Sequence, residues 1–261
     1  MAATTAPTRP QLQAPEPKTD SAGLPWWGYS AFFMGIQTLF GIYVAAVVLL
    51  DFRHNFSDPY LSPFFSPLLP SPSIAGFLIS PGIFVVWSPL AFRASCYYYR
   101  KAYYRAFFAP PSCSMPPPSR LKRIRYWGET RFPTVLSNLH RFALYTAIVN
   151  VAFLLVDFIN AFHSGGHFMV GLGTIILGVN VVMLSAYTFG CHAFRHLVGG
   201  SLDCYSCSLT ARTRRSIWEK VTVLNERHGF WALVSLFTVW GADLYVRLLT
   251  HGVFPDPRLV F

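Results

Sequence analysis

Charge is scarce in this chain, and acidic charge scarcest: only 12% of the 261 residues are charged, with 21 Lys and Arg against 11 Asp and Glu. With 53% hydrophobic residues and a mean hydropathy of +0.39, the chain has more apolar surface than a soluble domain of this length hides, so a water-soluble enzyme is excluded. No flavin or nicotinamide motif and no ferredoxin-type cysteine run is present, which excludes a dehydrogenase holding its own soluble cofactors. The first 25 residues lack an apolar h-region and are neither signal peptide nor span; their Pro, Thr and Ala with Arg9 and Lys18 predict a disordered cytoplasmic arm. Internal repeats are lacking as well. Cysteines number five, an odd count in or near helices and basic loops, which favours reduced thiols or metal ligands over a disulfide framework.

Long apolar runs are what the chain does have. Windows near the 20 or so residues that a membrane crossing needs occur at about 28-50, 74-99, 134-162, 168-197 and 221-249. They predict an all-α polytopic membrane protein, a bundle of five transmembrane helices over 26-250, followed by a short outer tail at 251-261. Between the second and third windows, residues 100-133 hold eight basic residues (Arg100, Lys101, Arg105, Arg120, Lys122, Arg123, Arg125, Arg131) and one acidic, Glu129. Arg212, Arg214, Arg215 and Lys220 repeat this between the fourth and fifth. The positive-inside rule puts both segments and the N-terminus in the cytoplasm and the C-terminus outside. The net charge of +10 is thus explained by topology and does not call for a nucleic-acid partner. The Pro-rich stretches 58-72 and 109-118 read as stiff extended connectors at the two surfaces.

That topology places Cys96, His140, Cys191, His196 and His228 near the same, basic end of four windows, in a layer on the order of 10 Å thick. Thiols and imidazoles at one depth suit a redox metal centre, which needs soft or borderline ligands from several helices. Taken singly, each has a plainer role, a buried Cys as a small hydrophobe and a His bonded to backbone or lipid. Ser137 and Arg141 share a helix face at i, i+4. A hydroxyl and a guanidinium there fit the carbonyl oxygens of a quinone, or equally an Arg that snorkels to lipid phosphates.

The run Arg131-Phe-Pro-Thr-Val-Leu-Ser137-Asn-Leu-His140-Arg141 closely resembles the first-helix signature of the cytochrome b subunit of succinate dehydrogenase. The resemblance implies that Ser137 and Arg141 line the quinone site and that His140 lies between the iron-sulfur side and the haem. Arg195-His196 is similar to the close of that family's second signature, whose closing pair faces the haem propionates. Seven residues before His196, however, the axial haem ligand is replaced by Phe189, and 74-99 contains no histidine to serve as the other axial ligand. A chain with this signature, two candidate thiols and no axial pair is similar to the haem-less actinobacterial class, whose single five-helix anchor is associated with a membrane-embedded Rieske-type 2Fe-2S cluster.

What this resemblance implies is a membrane-anchor subunit of succinate dehydrogenase in the cell membrane, part of electron transport and the tricarboxylic acid cycle. Its partners would be the flavoprotein and iron-sulfur subunits, membrane lipid and quinone. The expected ligand set is Cys96, Cys191, His140 and His196, with His228 the leading substitute. A haem b anchor of the same complex is the alternative. A membrane di-iron oxygenase, suggested by His192-x-x-x-His196, and a purely structural membrane protein are more remote. Cys204-Tyr-Ser-Cys207 is a lone CxxC with a weak separate claim to metal. Tyr97, Tyr98, Tyr99, Tyr103 and Tyr104 read mainly as an interfacial aromatic belt, and Trp127 as an anchor. His163, His167 and His251 are expected at the outer side, away from the layer.

Overall fold

The structure, a computed structural model, describes residues 28–74, 76–100, 135–200 and 202–261. The run 109-118, Trp127, Arg131, Tyr103 and Tyr104 therefore lie outside the described residues. Helices α1 (Gly28–Leu49), α2 (Gly82–Ser95), α3 (Tyr97–Arg100), α4 (Leu136–Asn160), α5 (Leu172–Phe189), α6 (His192–Gly199), α7 (Leu209–Glu226) and α8 (His228–Thr250) carry the fold. Four of them, α1, α4, α5 and α8, are long and apolar enough to cross a membrane, and α2 is a shorter apolar helix. Fourteen residues of α2 span about 21 Å at 1.5 Å per residue, against a hydrocarbon core of about 30 Å.

Apolar averaging across a window conceals where the backbone breaks. The second window stops being helical at Cys96 (φ −61°, ψ 136°) before the single turn of α3. The fourth breaks at Gly190 and Cys191 (φ −66°, ψ 143°), where any side chain at 190 would strike the Ala186 carbonyl at 2.5 Å. Asn225 Nδ2 donates to the freed Gly190 carbonyl at 2.9 Å, so the break leaves no orphan there. In the fifth, Arg227 (φ −106°, ψ 22°) separates α7 from α8.

The all-α expectation needs a small correction, because three short β pieces cap the far end of the bundle. Strands β1 (Phe56–Ser57) and β2 (Tyr60–Leu61) form one hairpin, and β3 (Ser73–Ile74) and β4 (Phe77–Leu78) another. The third piece is antiparallel, ordered β5 (His163–Ser164), β6 (His167–Gly171), β7 (Arg258–Val260), and it ties the chain end to the α4–α5 turn. The Pro-rich stretch 58-72 is a surface connector only in its second half, where 68–71 are exposed; in the first half Tyr60, Leu61, Ser62, Phe64 and Phe65 are buried, with a 3-10 turn at Pro63–Phe65. Proline removes backbone donors that would otherwise need partners, and apolar side chains then carry the segment inward.

Two core clusters result. One joins α1, α2, α4, α5 and α8 through Phe40, Val44, Phe92, Leu144, Tyr187 and Leu236; the other, at the capped end, packs Tyr60, Met169, Leu177 and Val246. Cys204 and Cys207 form a disulfide, so the expectation of reduced thiols fails for this pair and its claim to metal with it. Three residues apart, their Cα atoms lie 5.8 Å from each other, within bonding range.

Candidate redox site

The helix breaks deliver the chemistry. Cys96 closes α2, Cys191 caps α6 and His228 opens α8, while His140 comes from the first turns of α4. All four are buried, the cysteines 1% and 2% exposed and the histidines 8% and 3%. His140 Nε2 lies 2.9 Å from Cys191 Sγ, and His228 Nε2 lies 3.7 Å from Cys96 Sγ.

Each imidazole is held by what surrounds it. Ser95 Oγ is 2.9 Å from His140 Nδ1, and Phe92 stacks on that ring at 4.6 Å and 11°. Tyr187 stacks on His228 at 5.1 Å and 13°, and Tyr98 meets the same ring edge-on. His228 Nδ1 is buried without a hydrogen-bond partner among the described residues. Cys191 caps the amino end of α6 and His228 opens α8, so both helix amino ends, with their partial positive charge, open onto the four side chains.

Arg93, one turn before Cys96, is buried beside the cluster. It donates to Tyr99 Oη, to Ser235 Oγ at 3.1 Å and to the Ala232 carbonyl at 3.3 Å, and it lies over the Tyr187 ring at 4.8 Å. Among the described residues no carboxylate pairs with it. A lone arginine inside an apolar run was the signal that would have found it. Tyr99, also buried, donates to the Ala232 carbonyl, so this member of the tyrosine run faces inward and not toward an interface.

His196 is exposed on α6, apart from the buried four. It lines the mouth of a cavity of about 820 Å³ that also reaches Cys96, His140, Arg141, Cys191, Arg214 and His228. Arg141 is exposed and faces this cavity; Ser137 lies one turn earlier on α4, its side chain outside the described set. Arg195 turns instead to α7, donating to Thr222 Oγ1 at 3.0 Å and lying over Trp218 at 4.3 Å. Phe189, at the position of a haem ligand, packs edge-on against Phe194. His163, His167 and His251 sit at the other end of the bundle, beyond the carboxyl ends of α4 and α8.

The model of the actinobacterial succinate dehydrogenase subunit SdhC matches residues 29–252. The chain belongs to this family. It is accordingly a membrane subunit of succinate dehydrogenase, the anchor of that enzyme, and the di-iron oxygenase reading falls away. A chain of the solved Mycobacterium smegmatis Sdh1 complex in the apo form is similar throughout, at 32% identity and a TM-score of 0.77 over 98% of this chain and 99% of that one. No curated protein matches the chain.

Proposed function

We propose that this SdhC-family anchor docks the flavoprotein and iron-sulfur subunits at its basic end and passes their electrons to quinone through a Rieske-type 2Fe-2S cluster. The observation that carries the reading is the buried quartet of two thiols and two imidazoles beside a cavity large enough for a quinone headgroup. The donor set fits such a cluster. His140 lies against Cys191 and His228 against Cys96, which brings together the two thiols and two imidazoles that such a cluster takes.

Cys96, Cys191, His140 and His228 are the ligands in this reading, with His228 in the place first given to His196. When bound, the cluster supplies one-electron transfer at a potential suited to quinone. The protein's own part is to hold the four donors, exclude water with Phe92 and Tyr187, and set a positive charge at Arg93. Arg141, at the cavity wall, donates to a quinone carbonyl oxygen, with Ser137 beside it on α4. Five crossings, with α2 and α3 together completing the second, put the N-terminus in the cytoplasm and the anchor in the cell membrane.

His140→Ala and His228→Ala in the purified complex are the test. Each is expected to abolish quinone reduction while dye reduction by the soluble subunits persists, with two irons and two labile sulfides lost per complex. The same losses in His196→Ala, with His228→Ala unaffected, would restore the first ligand set. A sharp alpha band in the reduced optical spectrum would replace the cluster by haem b.

A further inference from the structure

At the end of the bundle opposite the quartet, α1 ends at Leu49 and α8 at Thr250, and the turn 51–54 folds over both. Asp51 and His54 of that turn meet His251, 200 residues from Asp51 in the sequence. His54 Nδ1 is 2.5 Å from Asp51 Oδ1, and His251 Nε2 is 3.2 Å from Asp51 Oδ2. The two imidazoles lie face to face, 4.1 Å between centroids and tilted 33°, with their nitrogens turned toward one carboxylate. The three donor atoms fall within 4.8 Å of one another.

We infer that Asp51, His54 and His251 form a site for a first-row divalent cation of the zinc type. Two imidazoles and a carboxylate are a zinc donor set, whereas calcium and magnesium prefer oxygen alone. The carboxylate is fixed from behind: Arg247 Nη1 donates to Asp51 Oδ2 at 2.8 Å. Arg247 offsets the charge of Asp51 only in part, since its Nε is also paired with buried Asp243 at 2.9 Å. The carboxyl ends of α1 and α8 add their partial negative charge. Both histidine side chains are 45% exposed, which leaves the solvent side open for water as a fourth ligand.

Such an ion would clamp the α1–α2 connection to the end of α8. The test uses the intact complex, washed with an external chelator and titrated with zinc chloride. Wild type is expected to bind one zinc per anchor chain at this site, with at least tenfold weaker binding in His54→Gln and in His251→Gln, and with a zinc-dependent rise in thermal midpoint that both variants lose. Gln keeps a polar partner for Asp51, so the loop stays folded. Zinc-edge X-ray absorption of the wild-type complex should show scattering from two imidazoles. Equal zinc uptake by the double variant, or a spectrum without imidazole scattering, overturns the site and leaves only a hydrogen-bonded clasp.

Discussion

Arg93 sets a problem that the rest of the chain must answer. A guanidinium buried in a membrane bundle is costly unless its charge is balanced, and here neutral oxygens and an aromatic face are all that the described residues provide. A 2Fe-2S cluster held by two thiolates and two neutral imidazoles is uncharged when oxidised and gains one negative charge on reduction, so in the proposed reading its reduced state would balance Arg93. A positive charge stabilises whichever redox state is more negative, so Arg93→Met is expected to lower the midpoint potential of the centre, read by redox titration with electron paramagnetic resonance. An unchanged potential would detach Arg93 from the centre. Tyr99 still bonds the Ala232 carbonyl in that variant, so the fold should hold.

At the far end Asp51 behaves in the ordinary carboxylate way. Its partial burial opposes ionisation, but bonds from His54, His251 and Arg247 outweigh that and hold its carboxyl below the usual range. A carboxyl depressed on folding contributes stability above its unfolded value near 3.8, and loses it as pH falls through the lower folded value. The thermal midpoint of the complex should therefore drop below about pH 4 less steeply in Asp51→Asn than in wild type.

Among elements, α8 carries the heaviest polar cargo. Buried Asp243 accepts from Tyr43 of α1 at 2.5 Å, from Ser62 of the inward Pro-rich segment and from Arg247 at 2.9 Å. One carboxylate thus joins a neighbouring helix, a loop and its own last turn. Removing it leaves the Arg247 charge partly uncompensated, a loss worth about 3–5 kcal/mol for a broken buried pair. Asp243→Ala should accordingly lower the thermal midpoint strongly, and loosen α1 as read by hydrogen exchange at Tyr43; an exchange pattern unchanged at α1 would refute the tie.

None of this was visible in an apolar window that averages Asp243 and Arg247 away. What the windows show well is which residues lie in the bundle, since each apolar run contains one long or shorter apolar helix. What they miss are the breaks at Cys96, Gly190 and Arg227, set by single residues and by partners elsewhere in the chain. Those breaks decide which thiol and imidazole side chains meet inside the bundle. A continuous fourth helix makes His196 as good a donor as any, whereas the bend at Cys191 turns α6 so that His196 sits at the rim and leaves His228, first residue of α8, inside. The inward turn of 60–66 was hidden for a different reason, because proline density reads as surface when neighbouring Tyr60, Phe64 and Phe65 are not weighed.

Over the whole molecule the two ends differ in kind. Helix α7, which carries Arg212, Arg214, Arg215 and Lys220, lies at the quartet's end, while the other end carries the short β pieces, Asp51 and Asp256. Asp256 there accepts from Tyr60 at 2.7 Å and from Tyr245, closing that face around the chain's last residues. Basic connections are retained in the cytoplasm, where docking of the soluble subunits would also place them. The number of crossings then rests on α2, among the described residues the one apolar helix of ten residues or more that is short of a full span. Five crossings put the termini on opposite sides; four put them together. Protease added to right-side-out vesicles should trim a tag at the C-terminus and spare one at the N-terminus, with the reverse in inverted vesicles. Cleavage of both tags from the same side would contradict the parallel course of α1 and α8, whose ends meet at Asp51, Arg247 and His251, and would overturn the five-crossing reading.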